Sequence, residues 1–364
     1  MLEQKKHICL FPGRLNLGGV GKNTLNLAEA LVQRGHKVDL FLTTLAGEYK
    51  SLIPGDVNVY YGKGSAIKSF WALRAYLRRE SPDMLITARD YLNVVGFIAS
   101  KLSFSRALHV ATLRTSLTAD RQVRSGFKYF VVQLLAKYSY KHMDSVVAVS
   151  QAVADDYRSV FEIPDLRVIY NPIITDRFDA LQGADIEHKF APNFPIILAV
   201  GRLSPEKGFD TLIRAFSEVH SKREGAQLCI LGEGPMRAEL ELLVERLELG
   251  DSVVMPGYIV NPISYMARSS VFVVPSLWEG LPTAMVEALA AGVSVVATRC
   301  PGGSAEILAG GEFGTLVNMS SPGELANAIS LMLVNPLVNE KTIARGRSFS
   351  ANSAVNQYLS LLNS

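Results

Sequence analysis

The feature that most constrains the fold is the alternation of short apolar segments with longer amphipathic ones along the whole chain. A strand that is apolar throughout is covered on both faces, and helices between such strands imply a parallel sheet. The sequence therefore predicts an α/β protein with two Rossmann-like parallel-sheet domains, whose ligand-binding edges are expected to face each other across a cleft. The predicted strands are His7–Phe11, Val38–Thr43, Met84–Thr87, Ala107–Thr112 and Ser145–Val149, then Ile196–Val200, Ala226–Leu231, Ser252–Met255, Val271–Val274 and Val293–Ala297.

The length and one irregular stretch set the predicted domain boundaries. A chain of 364 residues is too long for one ordinary domain and suits two. The break is expected at Tyr170-Asn171-Pro172, because Pro172 disfavours helix at Asn171 and a polar stretch follows. We predict a first domain over residues 1–172, a second over residues 190–345, and a C-terminal helix within 346–364 that packs back on the first domain.

The strongest local signal is the segment Glu279-Gly280-Leu281-Pro282 leading into a predicted helix that contains Glu287. Proline suits the first helical position, so Glu279 lies ahead of the helix and Glu287 about 7–8 Å inside it. Free N–H groups and the positive helix end between them favour an anion such as a diphosphate. Carboxylates accept hydroxyl hydrogen bonds well, so each glutamate suits a sugar ring. Two glutamates at this spacing also occur in ordinary acidic helices, and the Gly-Leu-Pro turn is what favours a site.

The second signal is the loop Gly201-Arg202-Leu203-Ser204-Pro205-Glu206-Lys207 after the strand Ile196–Val200. It places Arg202 and Lys207 at the carboxyl edge of a sheet, where doubly wound domains bind ligands. Two cations there suit a departing diphosphate, whose negative charge grows in the transition state. The alternative is a surface loop whose cations pair with Glu206 or Asp210.

The third signal is Gly18-Gly19-Val20-Gly21, which opens the first long helix and permits close backbone approach to a ligand. Taken together, the three segments resemble those of glycosyltransferase family four, the retaining enzymes of the GT-B fold. The resemblance covers nearly the whole chain and includes Ile169-Tyr170-Asn171-Pro172, Leu231-Gly232-Glu233-Gly234-Pro235 and Pro256-Gly257-Tyr258.

The resemblance implies roles for these residues. Arg202 and Lys207 are expected to hold the diphosphate of a nucleoside diphosphate sugar, Glu287 the ribose, and Glu279 the donor sugar. Gly18, Gly19, Gly280, Leu281 and Tyr258 complete the expected donor site, with Tyr258 beside the base. The family needs no metal and no cofactor. This agrees with Cys9, Cys229 and Cys300, which lie in apolar runs as core thiols, and with the lack of a Cys/His cluster at metal-ligand spacing.

The chain departs from the family at one slot. Many members carry a histidine near the reacting sugar, after the strand predicted at Ala107–Thr112, and here the slot holds Arg114. Arg114 is placed in the catalytic set with Arg202, Lys207 and Glu279, as a permanently charged clamp on donor or acceptor. His109 lies within the strand and is interpreted as structural.

Two other classes of protein compete with this interpretation. A P-loop NTPase is suggested by Gly18-Gly19-Val20-Gly21-Lys22, but the full motif needs a glycine at Asn16 and Ser or Thr at Asn23. A non-catalytic protein that kept the fold and binds sugar nucleotides is favoured only by Arg114. The preferred function is a retaining hexosyltransferase that uses a nucleoside diphosphate sugar, UDP-linked by preference, in cell-surface polysaccharide synthesis.

The charge distribution predicts the remaining partners. Residues 61–141 contain 14 Lys and Arg against 4 Asp and Glu, although the net charge of the chain is only +3. This is either a solvated surface or a site for an anionic partner. We expect a glycan or lipid-linked acceptor, peripheral salt-sensitive contact with anionic membranes without insertion, and no nucleic acid. The aromatics of Ala66–Arg79 are interpreted as core. With no signal peptide at the start, we expect a cytoplasmic protein, peripheral at the inner face of the plasma membrane.

Overall fold

The computed structural model describes residues 4–363 except residue 17 and residues 45–46, 119–125, 188–189 and 191–193. The chain divides into two compact units. The first contains residues 1–175 and 350–364, and the second contains residues 176–349.

The first unit is built on a seven-stranded sheet whose neighbouring strands all pair in parallel, in the order β3-β2-β1-β4-β5-β6-β7. Its strands are β1 His7–Gly13, β2 Lys37–Leu42, β3 Asn58–Tyr61, β4 Met84–Ala88, β5 Leu108–Leu113, β6 Ser145–Ala148 and β7 Leu166–Val168. Its helices are α1 Gly19–Gln33, α2 Ala66–Glu80, α3 Asp90–Ser103, α4 Phe127–Lys141 and α5 Gln151–Val160, with a 3₁₀ helix at Glu48–Leu52.

The second unit is built on a six-stranded parallel sheet in the order β10-β9-β8-β11-β12-β13. Its strands are β8 Ile196–Val200, β9 Gln227–Leu231, β10 Val253–Gly257, β11 Val271–Val274, β12 Ser294–Thr298 and β13 Thr315–Val317. Its helices are α6 Phe178–Gly183, α7 Phe209–Lys222, α8 Arg237–Arg246, α9 Ile263–Met266, α10 Thr283–Ala290, α11 Ser304–Ile307, α12 Pro322–Val334 and α13 Glu340–Arg347, with 3₁₀ turns at Pro205–Lys207, Gly250–Ser252 and Ala309–Gly311.

The last helix, α14 Ala351–Ser360, belongs to the first unit, followed by a 3₁₀ turn at Leu361–Asn363. The amide of Ala351 donates to the carbonyl of Ile174 at 2.8 Å, and Arg34, directly after α1, donates to the carbonyl of Asn352 at 3.0 Å. Ser350 caps the helix by accepting from the amide of Ser353 at 3.1 Å.

Two polar clusters are buried within the first unit. In one, Asp39 of β2 is fully buried and accepts from Tyr76 at 2.7 Å and Asn58 at 3.0 Å, with His7 Nε2 at 2.7 Å. Burial opposes ionisation of Asp39, but these hydrogen bonds outweigh it and lower its pKa. Because buried carboxylates are tolerated only when they are satisfied in this way, the cluster fixes the register of α2 on the sheet.

The second cluster joins α3 to α4 and α5. Asp90, at the start of α3, accepts from Tyr140 at 2.6 Å, Tyr157 at 2.9 Å and Gln133 at 3.1 Å. Tyr140 in turn accepts from Asn93 at 3.1 Å. The face of α4 that carries Gln133 and Tyr140 is therefore held against α3 by polar bonds.

The predicted strands are confirmed, with end points that shift by at most two residues. Three strands were not predicted: Asn58–Tyr61, Leu166–Val168 and Thr315–Val317. Each lies at the end of its sheet and is only partly buried, so it lacks a continuous apolar run. The three cysteines are buried and free, and burial raises the pKa of both Cys9 and Cys229 to about 12.

Candidate active site

The turn that precedes α10 is the centre of the site in the second unit. Glu279 donates its amide to the carbonyl of Pro301 at 2.9 Å, and Gly303 donates to the carbonyl of Gly280 at 3.0 Å. Gly302 allows this approach, because its φ is +117° and a Cβ there would lie 1.9 Å from the Glu279 carbonyl oxygen. The backbone amides at the start of α10, which begins at Thr283, are thereby placed after a fixed turn.

Lys207 and Glu279 form an ion pair, although they are 72 residues apart. Lys207 Nζ lies 2.6 Å from Glu279 Oε1, and Ser276 Oγ donates to the same oxygen at 2.7 Å. The Lys207 side chain is 24% exposed and that of Glu279 is 10% exposed, so the pair is only partly screened by water. The alternative interpretation pairs the two predicted cations with Glu206 or Asp210. In the structure Lys207 pairs with Glu279, and Glu206 accepts from Ser204 Oγ at 2.6 Å.

Arg202, the other predicted cation, is not paired in the way that Lys207 is. Its side chain is exposed, and within the described residues its guanidinium has no hydrogen-bond or ion-pair partner. The loop that carries it is rigid at the backbone, because Gly201 donates to Leu231 at 3.0 Å and Leu203 donates to Glu233 at 3.0 Å. Of the two predicted cations, Lys207 is therefore held by a carboxylate, whereas Arg202 has no side-chain partner among the described residues.

Glycines bring these loops together. A Cβ at Gly232 would lie 1.8 Å from the Gly201 carbonyl oxygen, and one at Gly208 would lie 2.2 Å from that of Pro275. Both have positive φ, at +148° and +62°. The loops after β8, β9 and β11 thus meet at the carboxyl edge of the sheet, and side chains at these positions would push them apart.

The remaining residues of the predicted donor site occupy distinct environments. Glu287, the fifth residue of α10, is 2% exposed, and Leu281 is buried beneath the turn at 7%. Gly280 and Tyr258 are half-buried. Tyr258 follows β10, which ends at Gly257, and so lies at the carboxyl edge of the same sheet.

The predicted residues of the first unit lie at the carboxyl edge of the other sheet. Gly18 and Gly19 are exposed, Gly18 has φ +122°, and α1 begins at Gly19. Arg114 directly follows β5, where Nη1 donates to Asn171 Oδ1 at 3.0 Å and Nε donates to Thr112 Oγ1 at 3.2 Å.

The surroundings of Arg114 are neutral or cationic. Burial lowers the pKa of its guanidinium, Tyr358 of α14 acts in the opposite direction, and Arg89, directly after β4, lowers the pKa further. Only two of its five N–H donors have a partner among the described residues. A cation held by neutral oxygens keeps its charge available for a ligand.

His109 is a core residue, in agreement with its structural interpretation. It lies in β5, is 2% exposed, and has Nε2 3.0 Å from Thr87 Oγ1. Burial lowers its pKa to about 3, so the ring is neutral at physiological pH. It does not take the place of the histidine that Arg114 replaces.

Two structural features are absent from the described part of the chain. There, no group of three or more His, Cys, Asp or Glu side chains is arranged to hold a metal ion. No helix that the structure describes is both long and apolar enough to cross a bilayer.

Two parallel-sheet units with these carboxyl-edge loops define a glycosyltransferase of the GT-B class. Residues 17–177 match the family description "Glycosyltransferase Family 4", and residues 184–349 match "Glycosyl transferases group 1". The chain belongs to glycosyltransferase family 4, group 1, and is an enzyme of that family. The NTPase alternative is thereby wrong.

Individual proteins show the same relationship. The chain is 26% identical to the lipopolysaccharide core biosynthesis glycosyltransferase LpsD of Rhizobium meliloti over 95% of both chains. It is 30% identical, over 58% of its own length, to the N-acetylgalactosamine-N,N'-diacetylbacillosaminyl-diphospho-undecaprenol 4-alpha-N-acetylgalactosaminyltransferase of Campylobacter jejuni, and spans 56% of that protein's length. Its fold is similar to that of Anabaena HepE in complex with UDP-glucose, with a TM-score of 0.80 and 21% identity over 98% of this chain and 99% of that one.

Proposed function

We propose that this enzyme is a retaining glycosyltransferase that moves a hexose from a UDP-sugar to a glycan or lipid-linked acceptor in cell-surface polysaccharide synthesis. The observation that carries the proposal is the ion pair of Lys207 with Glu279, which lies just ahead of α10, together with Arg202 in the same β8 loop as Lys207. We call these three residues the active-site cluster. UDP is favoured because HepE binds UDP-glucose, and a lipid-linked acceptor because the Campylobacter relative is named for one.

The cluster has the charges that departure of a diphosphate requires. The free guanidinium of Arg202 suits bidentate contact with phosphate, and Lys207 supplies a point charge. As the bond from the sugar C1 to the diphosphate oxygen breaks, negative charge grows on that oxygen and both cations stabilise it. The acceptor hydroxyl forms the new bond to C1, and its proton is taken up by the departing diphosphate.

The carboxylates suit the hydroxyl groups of the donor. Glu287 is assigned to the ribose and Glu279 to the donor sugar, since charge-assisted hydrogen bonds to hydroxyls are strong. Glu279 is engaged by Lys207 before any ligand arrives, so donor binding exchanges one partner for another. Gly18, Gly19, Gly280, Leu281 and Tyr258 are proposed to line the rest of the donor site. We propose no metal or cofactor.

Arg114 is proposed to clamp a phosphate or sugar hydroxyl of either substrate. Its neutral partners, Asn171 and Thr112, orient the guanidinium without neutralising it.

The proposal is tested by a thermal-shift screen of UDP, GDP and ADP sugars, followed by assay of nucleotide release and of the anomeric configuration of the product. We expect a UDP-sugar to raise Tm most and to be turned over with retention. Arg202→Ala should abolish most turnover, whereas the matched control Arg223→Ala, another exposed arginine of the second unit, should not. Binding without any nucleotide release would instead support a non-catalytic sugar-nucleotide-binding protein.

A further inference from the structure

Helix α4 exposes its large apolar side chains to solvent. Phe127, Phe130, Leu134 and Tyr138 are 81%, 64%, 60% and 63% exposed. Their spacing of three, four and four residues places them along one line of an α-helix. We call this line the α4 apolar face.

The opposite side of the same helix is buried and polar or small. Gln133, Ala136, Ser139 and Tyr140 are each less than 9% exposed. Gln133 and Tyr140 bond to Asp90, so polar contacts fix which side of the helix faces the protein. An ordinary surface helix buries its apolar stripe and exposes its polar side. Helix α4 does the opposite, which is a feature of surfaces that bind another apolar phase.

Neighbouring helices of the first unit add to the exposed apolar surface. Helix α3 packs against both α2 and α4. Trp71 of α2 is 68% exposed, and Phe104, which follows α3, is 85% exposed. The expectation that the aromatics of α2 are core holds for Tyr76 but is wrong for Trp71.

The charged residues that α4 itself carries have one sign. The sequence of α4 contains three lysines and no acidic residue. Lys137 and Lys141 in its last two turns are exposed, and the contact of Lys141 is with Glu162 at 2.8 Å, itself 74% exposed. A pair so exposed to water costs little to break. Helix α4 thus combines exposed aromatic and leucine side chains with lysines. This composition is typical of helices that lie in a membrane interface.

We propose that the first unit docks on an anionic lipid bilayer through the α4 apolar face, with the aromatic rings about 5–10 Å into the headgroup and acyl boundary. The lysines beside it contact lipid phosphates. This inference rests on the proposed function, because it places the enzyme at the surface that holds a lipid-linked acceptor. It differs from the charge-only contact expected from the sequence, since apolar side chains enter the interface.

The test is flotation of the full chain with vesicles of phosphatidylcholine containing phosphatidylglycerol. We expect the triple variant Phe130→Ser, Leu134→Ser and Tyr138→Ser to lose at least tenfold in vesicle partitioning. The control Leu331→Ser with Val334→Ser removes two side chains that are 52% and 66% exposed on α12 of the second unit, and should partition like the wild type. Because all five side chains are exposed, circular dichroism melting should confirm folded variants.

A second measurement locates the helix directly. Phe130→Trp is placed in a chain carrying Trp71→Phe and Trp278→Phe, so that its fluorescence reports position 130 alone. Brominated lipids should quench it in anionic vesicles. Absence of quenching together with unchanged partitioning of the triple variant would overturn the proposal. A dimer in sedimentation without vesicles, dissolved by the triple variant, would overturn it in favour of self-association.

Assays of sugar-nucleotide binding and hydrolysis test the proposed function separately from membrane docking. The triple variant should retain UDP-sugar binding and slow donor hydrolysis, since no residue of the active-site cluster is changed. Loss of vesicle binding with intact donor chemistry is the expected result. Vesicle binding by a wild-type enzyme that binds no sugar nucleotide would refute the proposed function and leave the docking surface standing.

Discussion

Replacing Glu279 by Gln should tighten the binding of UDP while lowering sugar transfer. In the ligand-free enzyme Glu279 holds Lys207 at 2.6 Å and places a negative charge where the diphosphate is proposed to bind. Unit charges 4 Å apart interact by about 4 kcal/mol at an effective dielectric constant near 20, whereas exposed pairs contribute only about 0.2–1 kcal/mol. With side chains 24% and 10% exposed, the pair lies between these limits.

When UDP binds, the attraction of Lys207 to phosphate replaces most of its lost attraction to Glu279. We therefore expect Glu279→Gln to strengthen UDP binding by about 1 kcal/mol, or about fivefold in Kd. Turnover should fall, because the hydrogen bond from a carboxylate to a sugar hydroxyl, worth about 1.5–3 kcal/mol, is weakened. Calorimetry with UDP and a nucleotide-release assay measure the two effects. The control is Glu206→Gln, which changes a carboxylate that Ser204 engages instead of Lys207. Weaker UDP binding in Glu279→Gln, or equal tightening in both variants, would refute the reasoning.

Three further outcomes are expected. Glu287→Ala should weaken UDP binding about tenfold or more by calorimetry, since a charge-assisted hydrogen bond contributes about 1.5–3 kcal/mol, and unchanged affinity would remove Glu287 from the ribose site. Arg114→His should lower kcat/KM at least tenfold in steady-state assays with little change in Tm, and wild-type turnover would make the arginine a neutral replacement. Hydrogen bonds from His7 and Tyr76 depress the pKa of Asp39 despite its burial, so its contribution to stability is present above its unfolded pKa of about 4 and is lost as pH falls through the lower folded value. Urea unfolding from pH 7 to pH 3 should show a smaller loss in Asp39→Asn than in the wild type, because other carboxylates such as Asp156 also have a lowered pKa.

The interior of each sheet could be predicted from the sequence, and its edges could not. Strands such as Ile196–Val200 and Val271–Val274 are buried on both faces and appear as uninterrupted apolar runs. The end strands Asn58–Tyr61 and Thr315–Val317 pair on one side only and are partly exposed, so their sequences do not differ from those of loops. A local sequence pattern shows whether a segment is buried. An end strand is recognised only by its hydrogen bonds to the neighbouring strand, which a local pattern does not contain.

The sequence allowed the residues of the candidate site to be predicted, but not the contacts between them. Lys207 and Glu279 were identified in separate loops, and nearer carboxylates offered equally simple partners for the lysine. The pairing depends on sheet order, because β8 lies beside β11 and the loops that follow adjacent parallel strands meet at one edge. Glycines with positive φ, such as Gly208, then set how closely the two loops approach.

Helix α4 shows where periodicity misleads. The rule that an amphipathic helix turns its apolar stripe inward assumes that water is the only alternative to the core. In α4 the orientation is set by Asp90, whose half-buried carboxylate accepts from the hydroxyl of Tyr140 and the amide of Gln133. Rotating the helix to bury Phe130 would break both bonds and leave Asp90 with Tyr157 of α5, at a cost of about 1 kcal/mol for each lost hydrogen bond. The exposed aromatic face is therefore built into the fold of the first unit, and it persists whether or not a bilayer is present.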